Sequence, residues 1–552
     1  MSIRLEFFRF DNLSIFVGIF IVFFSVLTLL YSFGFMRKKK GLVLYYLYIC
    51  LTCLASLGAV FSNNLIVFLV FWSFLGLPLY LLIGYGEKER TPSTAKKAFI
   101  IIGGTDAFLL LGLIFIWFLS GSFDMDKIHL ALNNRLSVLA YLCLAVAAFA
   151  KAGAMPFHTW VPDTAEDAPT PVAAFLPASL DKLLGIYLLA RISLNVFQMN
   201  AAMNTFLMVI GSVTIVAAVM MALIQHDLKR LLGYHAVSQV GYMVLGIGTG
   251  NPVGIAGGLF HMLNHAIYKS CLFLCGGVVE KKTGTTDLEK LGGLAKVMPI
   301  TFISLLIASF SISGVPPFNG FASKWMVYQG VIETAKNGGS LWIVWLIAAM
   351  FGSALTLASF MKLVHAVFLG QPSKERNVLT PKKEKPGFFM QVPILTLAIL
   401  CILFGVFAAR IPLKMFIGPS IGETIVFYGT WSTGLATLLI LAGIVFGIII
   451  YFLGTAIKTR ETEAFVGGEE LKVHPRMRVS GTEFYNTIKE LGFLRAIYKK
   501  AEEGFFDIYE QGKKFIFSSS AIFQYLHNGV LPTYLVWCLL GMLGLFYIIL
   551  FK

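Results

Sequence analysis

The chain has little charge. Of its 552 residues only 13% are Asp, Glu, Lys or Arg, about half the share of a soluble globular domain, which excludes an ordinary soluble enzyme. It also lacks the patterns that hold redox groups. Its seven cysteines show no iron–sulfur spacing, and there is no haem motif and no glycine-rich nucleotide loop. Cys50 and Cys53 form a CxxC inside an apolar run, with no second pair or histidine nearby, and are expected to pack as small apolar residues. No cofactor is expected in this chain. The first apolar run lacks a small-residue cleavage site, so a cleavable signal peptide is not expected either.

Long apolar runs are what the chain has in abundance. Hydrophobic residues make up 57%, and mean hydropathy is +0.79. About 20 apolar residues span a bilayer, and in lipid only helices or closed barrels satisfy the backbone. The expected fold is an all-α polytopic membrane protein. Fourteen spanning segments are expected, near 12–36, 42–61, 64–84, 97–119, 136–154, 170–191, 204–224, 229–249, 253–277, 297–333, 340–369, 389–409, 431–456 and 531–551. The net charge of +15 does not imply nucleic acid. The cations gather in "RKKK" (37–40), "GEKERTPSTAKK" (86–97), "QHDLKR" (225–230), "EKKTGTTDLEKLGGLAK" (280–296) and "KERNVLTPKKEK" (374–385), all on one side of this topology. The positive-inside rule makes that side cytoplasmic. The opposite loops "GTGNP" (249–253) and "KNGGS" (336–340) are nearly uncharged.

The boundaries follow. N-terminal helices occupy 1–96, a first half 97–225, a second half 226–370, and further helices 371–456. Residues 457–530 read as a polar segment and an amphipathic lateral helix, and 531–552 as a last crossing. In the lateral segment Phe484, Ile488, Leu491, Leu494, Tyr498 and Phe505 fall mostly at helical spacing, with Lys489, Lys499, Lys500 and Glu502 between them. Such a helix suits a membrane surface or a neighbouring subunit. An ordinary connecting helix fits the pattern as well.

Ionisable residues inside spanning helices are costly and mark ion paths. Here they are Asp106, Lys151, Asp181, Lys182, His235, His261, His265, Lys269, Lys324, Lys362 and His365. His261, His265 and Lys269 are spaced i, i+4, i+8, near one helical face. Two histidines at i, i+4 can bind zinc, but no HExxH or acidic third ligand accompanies them, and no metal is expected. Burial lets a lysine exchange its proton near neutral pH, and nearby acids oppose this. A series of such groups can form a proton wire. Two segments are broken. Pro156 and Pro162 interrupt the helix after Lys151, and Pro316 and Pro317 in "SGVPPFNGFASKW" interrupt the helix before Lys324. Broken helices in transporters mark ion sites between inverted repeats, and the two lie five segments apart, in opposite directions.

The stretches "AKAGAMPFHTWVPDTAEDAPTPVAA", "IQHDLKRLLGYHAVSQVGYM", "FHMLNHAIYKSCLFLCGG" and "ISGVPPFNGFASK" closely resemble the antiporter-like subunits of respiratory complex I, Mrp sodium/proton antiporters and membrane-bound hydrogenases. "FVGGEE", "RVSGTEFYNTI" and "FFDIYE" look most like the large antiporter-like subunit of archaeal membrane-bound hydrogenase and sulfane sulfur reductase complexes. The resemblance implies a subunit that moves a proton, or exchanges it for sodium, when a redox module elsewhere drives it. Lys151 and Lys324 match the family's lysines on the broken helices, Asp106 its aspartate, and His261, His265 and Lys269 its polar axis. It implies other membrane subunits, lipid and a peripheral redox arm as partners, with iron–sulfur clusters in those partners, in the cell membrane. An oxidoreductase label would belong to the complex rather than to this chain.

Three departures stand out. Ser73 occupies the position of the family's glutamate, the usual partner of the first lysine. Pro177 replaces a histidine, with Asp181 and Lys182 one turn later. The chain begins where the family's third helix lies, so two helices are expected to be absent or supplied by another polypeptide. Ser73 admits a rival reading, a structural coupling subunit with impaired translocation. A subunit of an Mrp-type antiporter without redox chemistry is another.

Overall fold

The computed structural model describes residues 3–5, 7–370, 387–427, 433–453 and 481–551. The expected loop at 374–385 and the polar stretch at 457–480 lie outside them. Two units are described separately, Met1–Leu491 and Gly492–Lys552.

The first unit is a helical bundle. It opens with α1 (Asn12–Phe35), α2 (Leu42–Phe61), α3 (Leu65–Phe74), α4 (Gly76–Ile83), α5 (Thr91–Ser120) and α6 (Arg135–Ala152). Then come α7 (Trp160–Asp167), α8 (Thr170–Phe175), α9 (Asp181–Arg191), α10 (Ala201–Leu223), α11 (Leu228–Gly248) and α12 (Pro252–Thr283). It closes with α13 (Pro299–Ser313), α14 (Asn319–Glu333), α15 (Trp342–Val364), α16 (Phe388–Val406), α17 (Gly418–Ile421), α18 (Thr433–Leu453) and α19 (Asn486–Glu490). Two short strand pairs, Ile3–Leu5 with Phe8–Phe10 and Leu130–Ala131 with Phe197–Gln198, tie loops together.

Short polar residues start the helices. The side chains of Asn134, Asn200, Asp227 and Asn251 accept from the backbone N–H three residues on, at 2.8–2.9 Å. Each satisfies a donor that a helix N-terminus leaves free. Eleven helical stretches among the described residues are long and apolar enough to cross a bilayer, with α3–α4 and α8–α9 each forming one. α11, the broken pair α13–α14 and the apolar α18 complete the fourteen expected. α11 is less apolar because it carries His235 and Gln239, both fully buried.

The four described basic loops, at 37–40, 86–97, 225–230 and 280–296, share one face. Lys39 pairs with Glu87, Lys88 with Glu166, and the Leu288 amide donates to the His226 carbonyl. On the opposite face Asn64 donates to Asp124 and Asn200 to the Leu132 carbonyl. α6–α7 therefore runs toward the basic face. α13–α14 runs away from it, since the Leu294 and Ala295 amides meet Val367 and Phe368 there and Gly330 meets Asn251 at the other end. The two broken helices are antiparallel, as an inverted repeat requires.

Three sequence expectations change. Pro162 does not break a helix. It sits in the first turn of α7, where a missing N–H costs nothing. The first break is made by Gly153, in the left-handed region at φ 76°, followed by Pro156. The CxxC does not pack in the core, because Cys50 is exposed and Cys53 half-buried. The amphipathic segment is not one helix. α19 ends at Leu491, whose ψ of 128° is not helical, and the second unit holds α20 (Gly492–Glu502), α21 (Ile508–Leu526) and α22 (Leu531–Phe551). Gly504, at φ 74°, turns the chain between α20 and α21, and glycine is a poor helix former.

Candidate functional site

Among the described residues, three spans are buried almost throughout: α11, α12 and the stretch Thr170–Val196 that contains α8 and α9. These carry the most polar interior sequences. α9 presents Asp181 and Lys182, and α12 presents His261, His265 and Lys269, all at most 3% exposed. The helix between α8 and α9 widens at Leu176–Leu180. Pro177 cannot donate to the preceding turn, and such widenings recur at functional sites.

The first break lies beside this centre. α6 ends at Gly153, and the Gly153 and Ala154 amides both donate to the Phe149 carbonyl. Lys151, two residues earlier, is fully buried. Its Nζ lies 5.1 Å from the Trp72 ring centroid and has no hydrogen-bond partner among the described residues. Asp106 and Asp181 are within its electrostatic reach. Ser73 and Trp72 lie beside the Asp106 carboxylate. The serine at the family's glutamate position thus adjoins the neighbouring acid. Lys182 reaches the break itself. Its Nζ lies 5.4 Å from the Trp160 ring, and a Cβ on Gly153 would stand 3.0 Å from it.

The second break repeats the design. α13 ends at Gly314, φ 80°, and Pro316 and Pro317 follow. The Asn264 amide group donates to the Asn319 carbonyl at 2.9 Å, and Ser311 hydrogen-bonds Asn319. Lys324 is 2% exposed. Its stem lies against Gly314, and its Nζ lies 4.6 Å from the Tyr242 ring, again without a hydrogen-bond partner among the described residues.

α12 joins the two. His261 shares hydrogen bonds with Ser323 at 2.9 Å and Gln239 at 3.1 Å. Neither His265 ring nitrogen has a partner among the described residues, nor has Lys269 Nζ. Lys182 lies within electrostatic reach of His265 and Lys269. Lys324 lies within reach of His261, and Lys269, Lys324 and Lys362 all within reach of His235. His235 bonds Ser359 at 2.7 Å. Lys362 donates to the Leu223 and Gln225 carbonyls at 2.6 and 2.9 Å, next to the basic face. Nine of the eleven ionisable residues singled out in the sequence therefore form one series of neighbours, from Asp106 through Lys151, Asp181, Lys182, His265, Lys269, His235 and His261 to Lys324, with Lys362 beside His235 and with His365 apart, against Phe484. Buried polar atoms without partners are rare in proteins and call for water or an ion. The reading of the sequence missed Trp72, Trp160, Tyr242, Gln239, Tyr268 and Ser323. Their aromatic rings and small polar groups look like core in an apolar run.

The sequence profile described as NADH:quinone oxidoreductase/Mrp antiporter, TM, matches residues 62–356, which is more than half of the chain. The chain belongs to this family. The match contains every residue of the line from Ser73 to Lys324, while Lys362 lies just beyond it. Among curated relatives, the Na(+)/H(+) antiporter subunit A1 of Staphylococcus haemolyticus is 33% identical over 419 residues, 72% of this chain and 52% of that one. The chain thus spans about half the length of this relative. Two solved structures share the fold. The archaeal membrane-bound sulfane sulfur reductase contains a chain with TM-score 0.80 and 23% identity, covering 99% of this chain and 91% of that one. The Mrp complex of Dietzia sp. DQ12-45-1b contains one with TM-score 0.69 and 22% identity, covering 78% and 86%. The protein is a multi-pass, antiporter-like membrane protein of the family.

Proposed function

We propose that this chain moves protons, or exchanges them for sodium, as an antiporter-like subunit of a larger membrane complex driven by a redox module. One observation carries the reading. A line of buried lysines, histidines and aspartates joins two antiparallel broken helices, and the Nζ atoms of Lys151, Lys182, Lys269 and Lys324 are left without hydrogen-bond partners among the described residues. Structural ionisable groups in membranes are paired, whereas unpaired ones in a row suit transfer through water. Lys151 and Lys324 act as the switching lysines. Asp106, beside Ser73, tunes Lys151 by charge together with Asp181. The stripe from His261 to Lys269 passes protons between the halves, and the basic loops face the cytoplasm. Relatives described as an Na(+)/H(+) antiporter subunit and a respiratory membrane complex agree with this role. Iron–sulfur clusters belong to the partner subunits.

The test is Lys324→Ala in the whole complex, assayed in everted membrane vesicles. Ion uptake is expected to be abolished, with electron transfer by the redox module retained. Undiminished uptake would overturn the proposal.

A further inference from the structure

α7 is only eight residues long, yet it carries three acids, and each is held from elsewhere. Asp163 receives Lys97 at 2.7 Å and Arg230 at 3.5 Å. Glu166 receives Arg230 at 2.9 Å, Lys88 at 3.1 Å and Arg90. Asp167 receives Arg90 Nε at 2.8 Å and the Thr94 hydroxyl at 2.7 Å. The cations come from two elements that start at the basic face, the α4–α5 connection with the first turns of α5, and α11. Lys88, Arg90 and Glu166 border a cleft of about 530 Å³. Burial opposes the charge of Glu166, but Arg90, Arg230 and Lys88 hold its carboxyl down at about 2.

The other end of α7 meets the first break. The indole N–H of Trp160 donates to the Ala150 carbonyl at 3.0 Å, bridging back across the break to α6. Its ring faces Lys182 Nζ at 5.4 Å, and a Cβ on Gly153 would stand 2.5 Å from Val161. α7 also lies tight on α11, where a Cβ on Gly233 would stand 2.6 Å from Pro162 Cα. The ion cluster and the lysine are therefore opposite ends of one short rigid rod. We propose that the Arg90–Glu166–Arg230 cluster at the membrane face positions the Lys182 ammonium at the helix break through Trp160, making Glu166 and Trp160 positioning residues for ion transfer. The inference rests on the translocation reading. Besides Trp160, the charged and titratable groups facing Lys182 are its neighbour Asp181, and His265 and Lys269 on α12. Lys151 on α6 acts on it through their shared neighbour Asp181. A change at Glu166 adds nothing to that set, so its effect on Lys182 must travel through α7.

The test needs no transport. In the purified complex, the Lys182 amine is labelled with acetic anhydride from about pH 6 to about pH 10, a range on both sides of neutrality that lets a labelling midpoint be read. Labelling is read by peptide mass spectrometry. Trp160→Leu and Glu166→Gln are expected to move the labelling midpoint of Lys182 by about one pH unit in the same direction, roughly a tenfold change in amine protonation. Glu166→Asp is expected to restore it, and the double variant to add nothing, as for residues acting in series. An unchanged midpoint in both single variants, or a Lys182 that never labels, would overturn the proposal. A merely structural role would lower the yield of complex and leave the midpoint of the surviving protein where it was. Since the midpoint is read without ion uptake, its failure is distinct from failure of the translocation reading, which Lys324→Ala reports.

Discussion

Lys151 and Lys324 face the same physical problem, an ammonium group in a dry interior, and solve it alike. Each lies over an aromatic ring, Trp72 at 5.1 Å and Tyr242 at 4.6 Å. A desolvated cation over a ring gains about 2 kcal/mol, which steadies the charge without consuming its donors. Tyr242 also donates to the Ala349 carbonyl at 2.6 Å, so ring and hydroxyl can be separated. Tyr242→Phe is expected to lower stability by about 1 kcal/mol and to keep ion uptake. Tyr242→Leu is expected to lose most uptake, and equal uptake in the two variants would show that the ring is not needed. Ser73 presents the converse case. Ser73→Glu places a second carboxylate beside Asp106 and near Lys151, which favours the charged lysine. The pH of half-maximal uptake is expected to rise by about one unit, and an unmoved profile would mean that the residue at 73 does not influence Lys151. The ionisable members of the site were legible in the sequence because a charge inside a spanning helix is conspicuous. Trp72 and Tyr242 were not, because an aromatic residue among apolar ones carries no such mark.

At the scale of elements, the first break depends on Gly153. Its φ of 76° is a left-handed conformation that costs another residue about 1–2 kcal/mol, and Val161 leaves no room for a Cβ. Gly153→Ala is expected to lower the melting temperature in detergent by several degrees. Gly121→Ala, also left-handed but with nothing within 4 Å of its Cβ, pays the conformational cost alone and is expected to fall less. α7 adds a pH dependence. The Glu166 carboxyl is held at about 2 in the fold against an ordinary value of 4.5. A depressed carboxyl contributes stability that is complete above 4.5 and is lost as pH falls toward 2. Melting temperature is therefore expected to be insensitive to this group from neutral pH to about 4.5 and to fall below it. Glu166→Gln is expected to flatten that fall. Proline was a good signal of where the helices break and a poor one of how. Pro162 opens a helix, while a glycine two residues past Lys151 ends the one before. The lateral segment showed helical periodicity at Phe484 and Leu494 that the chain does not sustain, because Leu491 and Gly504 redirect it.

At the scale of the whole molecule, much apolar surface is left uncovered. The α22 span is wholly unburied, and the apolar side chains of α18 stand open, Phe446, Phe452 and Leu453 among them. Contiguous exposure of this extent belongs against lipid or another subunit. Purification from the native membrane in mild detergent is expected to bring smaller membrane subunits and an iron-containing redox module. An iron-free preparation holding only antiporter-like chains would leave an Mrp-type antiporter as the account and remove the redox link.

The sequence by itself determined the class, the fourteen crossings, the shared face of the basic loops and the identity of the buried charges. Each of these follows from local composition and from the cost of charge in lipid, which every short stretch pays on its own. Only the tertiary structure decided which charges meet. The reach of Lys151 to both Asp106 and Asp181, the setting of Lys182 against Gly153, the placing of Ser73 beside Asp106 and the clamp on α7 depend on how separate helices come to lie side by side, and spacing along one chain does not contain that.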